Sequence, residues 1–163
     1  MKKMMFLSLI LLMAIVSCRR HKAFPPALES YFPYSENQKL FYTNEKGDTT
    51  CMVVTELYIE EHSEPYCSKC GSVITMEFKA QNDSMYFYGF ISLIESPYYL
   101  FLAAGGTHYV YNIPGDPFSD QIVSDIGDTI RLSKDGHEAV VVRNEGLVTF
   151  DDIQRNCTWK LVK

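Results

Sequence analysis

Residues 51–60 of the chain read Cys-Met-Val-Val-Thr-Glu-Leu-Tyr-Ile-Glu and repeat with a period of two residues. Glu56, Tyr58 and Glu60 fall at one parity of this run. Because successive side chains of a strand point to opposite faces of its sheet, this alternation is typical of a strand with one buried face. The pattern predicts that the buried face carries Cys51, Val53, Thr55, Leu57 and Ile59.

A similar alternation recurs along the chain from Leu40 onward. Ile74, Met76 and Phe78 form a second alternating run, and residues 85–94 are apolar at both parities, as in a central strand. Turn-forming residues separate further candidate strands, which span residues 98–103, 108–112, 129–132, 138–143, 147–150 and 158–162. About nine short strands predict an all-β fold, either an antiparallel sandwich or an open barrel. The predicted core contains Val53, Leu57, Ile74, Met76, Phe87, Ile91, Trp159 and Leu161.

One stretch departs from this rhythm and predicts a short helix over residues 117–126. Asp116 and Pro117 can serve as N-cap and first helical residue, and Gly127 can end the helix. Apolar residues recur between them at helical spacing. A strand over residues 121–124 is the alternative.

The N-terminus has the character of an export signal. Two lysines precede an apolar run over residues 4–16, which is shorter than the ~20 residues that a membrane-spanning helix needs. The run ends in Ile15-Val16-Ser17-Cys18, which resembles the lipobox of bacterial lipoprotein signal peptides. This resemblance implies that residues 1–17 are removed and that Cys18 carries the acyl lipid, palmitate included. An ordinary cleaved signal or an uncleaved anchor is the alternative.

The residues after Cys18 bear on where the protein is held. No Asp follows Cys18 and no acidic tract is present, so by the same resemblance we expect the periplasmic face of the outer membrane. Arg19, Arg20 and Lys22 can contact anionic headgroups there. Prolines at positions 25, 26 and 33 predict a stiff lipidated tether over residues 18–33. The tether should lead into a single β domain over residues 34–163, with its first ordered residues near Tyr31.

Charge argues against one class of partner. The chain has 15 basic and 20 acidic residues, and removal of residues 1–17 takes away Lys2 and Lys3, which leaves 13 against 20 and a formal charge near −7. An acidic domain without a basic stripe repels a phosphate backbone, so we expect no nucleic-acid partner.

Four cysteines remain besides Cys18, and they allow three interpretations. An even number outside the cytoplasm favours disulfides, with three possible pairings of Cys51, Cys67, Cys70 and Cys157. Cys67-Ser68-Lys69-Cys70-Gly71 also looks like half of a zinc ribbon, although the further candidate ligands Cys51, His62 and Cys157 are scattered. A redox pair would have to open a helix, whereas residues 73–78 are strand-patterned. Structural or inactive cysteines are the favoured interpretation, and no metal or cofactor is predicted.

No catalytic set is recognisable, and we expect a protein that is not an enzyme. The Gly-x-Ser-x-Gly motif of serine hydrolases is missing from the sequence, and Gly105-Gly106 lacks the spacing of a phosphate-binding loop. Paired acidic residues such as Glu60-Glu61 and Asp151-Asp152 point to opposite faces of an extended chain, so they cannot share a site as acid and base.

The tyrosines are the surface feature that can carry function, because tyrosine is common at interfaces. Too many are present for all of them to be core: Tyr31, Tyr34, Tyr42, Tyr86, Tyr88, Tyr98, Tyr99, Tyr109 and Tyr111. The alternative is that they line both faces of a sheet for packing alone.

The C-terminal segment carries a second resemblance. Gly146-Leu147-Val148 and the later Trp159-Lys160-Leu161 look like the ending of small bacterial lipoproteins of unknown function. The resemblance supplies no catalytic residue; Gly146 is expected to permit a bulge or a close backbone approach, and Trp159 to fill the core. The sequence thus predicts a lipid-anchored, non-enzymatic binding or envelope-assembly module that engages a protein, glycan or apolar ligand. A metal- or thiol-handling protein that uses Cys67 and Cys70 is the alternative.

Overall fold

The computed structural model describes residues 24–62, 73–93, 97–119 and 121–163 of the chain. These residues form ten strands and two short helices, so the predicted all-β fold is confirmed. In chain order the elements are α1 (Pro26–Glu29), β1 (Lys39–Asn44), β2 (Thr49–His62), β3 (Val73–Gln81), β4 (Tyr86–Ser92), β5 (Tyr99–Ala104), β6 (Thr107–Asn112), α2 (Ile122–Ile126), β7 (Thr129–Lys134), β8 (His137–Val142), β9 (Gly146–Asp152) and β10 (Cys157–Leu161).

All ten strands belong to one antiparallel sheet in the order β6-β5-β4-β3-β2-β1-β10-β9-β8-β7. Each strand therefore pairs with its neighbours in the chain, and the sheet curls round so that β1 pairs with β10. The one interruption among the described strands lies between β6 and β7, which lie near each other without a hydrogen-bonded ladder. The molecule is a nearly closed up-and-down barrel, in which closure removes most of the unpaired strand edges.

An up-and-down barrel has two chemically different ends. The tight turns at residues 45–48, 82–85, 105–106, 135–136 and 153–156 all lie at one end, which we call the turn end. The segment that leads into β1, the β6–β7 connection with α2, and the C-terminus lie at the opposite end, which we call the N-terminal end. This division decides which loops can meet in a common site.

A β-bulge in β2 corrects the predicted core face of that strand. Register shifts between Val54 and Glu56, so Thr55 has no partner of its own on β3. Before the bulge the residues buried in the core are Met52 and Val54, whereas Cys51 and Val53 are only half-buried and belong to the opposite face. After the bulge Leu57 packs against the core, as predicted, whereas the prediction is wrong for Thr55 and for Ile59, which is 48% exposed. One extra residue moves the following side chains of a strand to the opposite face of the sheet. A prediction that assumes a strict period of two residues cannot detect this change.

The N-terminal segment is part of the core and not a tether over its whole length. Phe24, Leu28, Tyr31 and Phe32 are at most 5% exposed, and the Phe32 ring lies 4.5 Å from that of Phe78 on β3. The Ser30 carbonyl accepts a hydrogen bond from the Asn144 amide at the N-terminal end. Residues 24–34 thus fill the barrel from that end, and the folded domain includes Phe24 and the residues that follow it.

The second helix is shorter than predicted. Asp116 organises a turn, since its carboxylate accepts a hydrogen bond from the Phe118 amide, and α2 begins only at Ile122. Gly127, with φ of +81°, ends the helix as expected. The alternative strand over residues 121–124 is wrong.

Most of the predicted core is confirmed. Met76, Phe87, Ile91 and Trp159 are buried, and Leu57 and Leu161 pack against the core. The prediction is wrong for Val53, which is only half-buried, because before the bulge in β2 the opposite set of side chains faces the core. The side chain of Ile74 lies outside the described residues.

Candidate functional site

Aromatic rings cover the outer side of strands β4 to β6. The residues concerned alternate with buried ones along each strand and form what we call the aromatic face: Tyr86, Tyr88, Phe90, Tyr99, Phe101 and His108. The Phe90 and Phe101 rings are stacked with centroids 5.0 Å apart, and those of Tyr86 and Tyr88 are stacked at 6.5 Å. The Phe101 ring also lies 5.7 Å from the His108 ring, so the contacts continue across three strands.

A carboxylate borders the aromatic face on β3. The hydroxyls of Tyr58 and Tyr88 donate hydrogen bonds to the same Oε2 of Glu77, at 2.7 and 3.1 Å. Burial and the Glu77 charge raise the pKa of Tyr88, and the hydrogen bond to Glu77 raises the pKa of Tyr58. Both tyrosines therefore remain hydrogen-bond donors throughout the physiological pH range.

The aromatic face differs from the outer face of the neighbouring strands. On β2 and β3 charged side chains, including the ion pair between Lys79 and Glu56, share the surface with the exposed Tyr58 and Ile59. On β4 the outward Tyr86 is 49% exposed, and Val110 beside the face on β6 is 63% exposed. The other rings of the aromatic face on β4 and β5 are half-buried, so the surface combines packed rings with two exposed residues, as binding sites often do.

A crevice of about 460 Å³ adjoins the aromatic face at the turn end of the barrel. It lies between the turns at residues 82–85, 105–106 and 153–156, and Tyr86 and His108 belong both to its lining and to the aromatic face. Its lining includes the small residues Ala103, Ala104, Gly105 and Gly106. Ala103 lies between its partners Tyr88 on β4 and His108 on β6, so large rings stand on both sides of a small side chain.

Backbone contact holds this end of the barrel together. The Ile153 amide donates a hydrogen bond of 2.9 Å to the Gly105 carbonyl, which links the β5–β6 turn to the β9–β10 turn. A Cβ atom at Gly105 would overlap the Asp151 carbonyl, so this approach is possible only for glycine. The paired glycines that the sequence excluded as a phosphate loop thus shape the crevice.

A buried carboxylate fixes the wall of the crevice formed by residues 152–155. Asp152 is 2% exposed and accepts hydrogen bonds from the Arg155 amide and the Arg155 guanidinium, the latter at 2.8 Å. The indole Nε1 of Trp159 donates to the same carboxylate at 3.2 Å. Arg155 also donates to the Ser84 carbonyl at 3.0 Å, so the charge of this arginine is already paired.

Other polar groups of the crevice are free to meet a ligand. Among the described residues, the side chains of Gln81 and Gln154 form no hydrogen bond. The hydroxyls of Thr107, which lines the crevice, and of Tyr109 are completely buried and lie near each other, so they are closed to a ligand. No sequence pattern predicts this group, because its members come from β3, β6 and the β9–β10 turn, which are distant in the chain.

The tyrosines separate into two sets. Four of the nine are buried and belong to the core: Tyr31, Tyr34, Tyr42 and Tyr109. The others are exposed or half-buried: Tyr86, Tyr88, Tyr98, Tyr99 and Tyr111. The packing interpretation is confirmed for the four buried tyrosines, and the interface interpretation stays a prediction for the other five.

The two described cysteines do not form a pair. Cys51 lies opposite Phe41 on β1, whereas Cys157 begins β10, as predicted, two residues before the Trp159–Asn44 pair. This register separates their Cα atoms by about 17 Å along the strands, far beyond the ~7 Å limit for a disulfide. Both are free thiols, Cys51 half-buried and Cys157 buried, so Cys51 does not point into the core as the sequence analysis expected.

Cys18, Cys67 and Cys70 lie outside the described residues. Within the described segments, no group of three or more His, Cys, Asp or Glu side chains is placed to hold a metal ion.

Comparison with known proteins finds no matching family model, no similar curated protein and no similar solved structure. None of the helices in the described segments combines the length and the apolar character that crossing a bilayer requires.

Proposed function

We propose that this chain is a lipid-anchored, non-enzymatic binding module of the bacterial envelope, held on the periplasmic face of the outer membrane through Cys18. Its binding surface is the aromatic face together with the adjoining crevice. The observation that carries the proposal is the set of stacked rings on the outer side of β4 to β6, where a barrel strand would otherwise present polar residues to water.

The exposed rings are suited to binding by their energetics. Cross-strand aromatic pairs stabilise a sheet by about 0.2–1 kcal/mol each. A few such pairs would therefore be enough if the rings served only the stability of the sheet. The aromatic face extends over three strands and leaves half of the Tyr86 surface in water. Covering such surface contributes roughly 25 cal/mol per Å² to association.

The proposed anchor and the proposed binding surface are compatible in space. Cys18 precedes Phe24 by six residues, so a lipid on Cys18 holds the N-terminal end of the barrel within about 22 Å of the membrane. The crevice lies at the turn end, which then points away from the membrane.

Site-specific photocrosslinking of the full-length chain in living cells tests the binding surface. A photoreactive phenylalanine analogue at Val110, 63% exposed beside the aromatic face, is compared with the same analogue at Phe41, 50% exposed on the outer side of β1. We expect an adduct at Val110 and none at Phe41. Equal adducts at both positions, or none at Val110, would contradict the proposed surface.

The anchor is tested on the same cells by fractionation. Cys18→Ala should abolish incorporation of a fatty acid analogue and release the protein from membranes. Incorporation that survives this substitution would refute lipidation at Cys18.

A further inference from the structure

We infer that the crevice at the turn end binds a neutral oligosaccharide segment. This inference rests on the proposed function and specifies its ligand. It is drawn from the shape of the crevice, its polar groups and its charge.

The shape of the crevice fits a sugar ring. A pyranose has a flat face of C–H groups that packs on an aromatic ring, and Tyr86 and His108 present such rings beside the crevice. The Tyr86 ring is supported from behind by stacking on Tyr88 with an interplanar angle of 14°, which fixes its orientation. The small side chain of Ala103 between Tyr88 and His108 leaves room for the ring to approach.

The polar groups fit the hydroxyls of a sugar. The amides of Gln81 and Gln154 each offer a donor and an acceptor, and neither is engaged within the described residues. Hydroxyl-rich ligands are the class that satisfies all of these groups together.

The charge of the crevice disfavours other ligands. Arg155 is the one lysine or arginine among the lining residues that the structure describes, and it is paired with Asp152, while Asp83 adds a negative charge. A phosphate or other polyanion would find no free positive charge. A purely apolar ligand would displace water from the exposed amides of Gln81 and Gln154 without replacing its hydrogen bonds, which costs binding free energy.

Calorimetric titration of the detergent-solubilised full-length protein tests the inference. The probes are tetra-N-acetylchitotetraose and maltotetraose, with inositol hexakisphosphate and decanoate as anionic and apolar comparisons. Trp159, the single tryptophan, donates to the carboxylate that forms the crevice wall, so its fluorescence reports binding at this site. We expect saturable binding of at least one sugar in the micromolar to millimolar range, with a matching change in fluorescence.

Two variants locate the binding. Tyr86→Ala removes the stacking ring and Ala103→Phe fills part of the crevice, and each should weaken sugar binding by about tenfold or more, equivalent to ~1.4 kcal/mol. Phe41→Ala is the matched control, since Phe41 at 50% and Tyr86 at 49% are equally exposed, and it should bind like the unaltered protein. Sugar binding that both crevice variants retain, or binding of decanoate or inositol hexakisphosphate alone, would overturn the inference. If no sugar binds but the photocrosslinking experiment gives an adduct at Val110, the glycan inference is wrong and the proposed binding module is still supported.

Discussion

Gly146 and Tyr34 meet so closely that a Cβ atom at Gly146 would overlap the Tyr34 hydroxyl. The same hydroxyl accepts a hydrogen bond of 2.7 Å from the Leu147 amide, and the Tyr42 hydroxyl donates to the Leu147 carbonyl at 2.8 Å. Two buried tyrosines therefore bind both backbone groups of one residue at the start of β9. This contact joins the N-terminal segment and β1 to β9, across the intervening β10.

Gly146→Ala should destabilise the fold far more than its backbone angle alone requires. Gly136 is the matched control, because its φ of +83° equals the +82° of Gly146 but nothing lies within 4 Å of its Cβ position. We expect Gly136→Ala to cost about 1–2 kcal/mol and Gly146→Ala to cost an additional 1–3 kcal/mol from overlap with Tyr34. Urea unfolding measures both, and equal losses would show that the Tyr34 contact is absent.

Asp152→Ala should destabilise the turn end, because it leaves the Trp159 indole and the Arg155 guanidinium without their acceptor. The expected loss is about 2–4 kcal/mol in the free energy of unfolding, with a change in Trp159 emission. Asp128→Ala is the control, since that carboxylate is 80% exposed in its pair with Arg143 and should contribute less than about 1 kcal/mol. Similar losses for the two variants would contradict the buried network.

Alkaline pH should weaken the fold through the buried tyrosines. Burial raises the pKa of Tyr34 and Tyr42 above the ordinary value of 10.0, so the folded protein keeps protons that the unfolded chain loses. Their contribution is fully present below about pH 10 and is lost as pH rises further, by about 1.4 kcal/mol per pH unit for each group.

Urea unfolding between neutral pH and pH 11 tests this slope. Tyr42→Phe should begin less stable, because it loses the bond to Leu147, and should then decline less steeply above pH 10. Parallel slopes for the variant and the unaltered protein would refute the assignment to Tyr42.

The described cysteines should behave as two separate thiols. In the native protein a maleimide should modify the half-buried Cys51 faster than the buried Cys157, and non-reducing peptide mapping should find no bond between them. A Cys51–Cys157 peptide would contradict the register of β1, β2 and β10.

The regular part of the fold was predictable because alternation is a local property. Each strand predicted from it is present within two residues of the expected bounds. The face of the sheet on which each β2 side chain lies was not predictable, because the bulge at Thr55 depends on pairing with β3. Residues 24–33 were assigned to a tether because their prolines are read locally, whereas the burial of Phe24 and Tyr31 depends on the distant barrel interior.

The candidate site divides in the same way. Surface tyrosines were recognised from the sequence as an interface signal, and the aromatic face contains Tyr86, Tyr88 and Tyr99. The crevice was not recognised, since Tyr86, Thr107 and Gln154 meet only when three hairpin turns gather at one end of the barrel. No pattern along the chain records that meeting.

Hydroxyl-radical footprinting of the protein in intact envelopes tests the central claim most directly. Tyr86 and Phe41 are exposed to 49% and 50%, so in the purified protein their oxidation rates provide a matched pair of aromatic probes. If the aromatic face binds a partner in the envelope, oxidation of Tyr86 should fall there relative to the purified protein while oxidation of Phe41 stays the same. Unchanged oxidation of Tyr86, or equal protection of both residues, would contradict a binding function for this face.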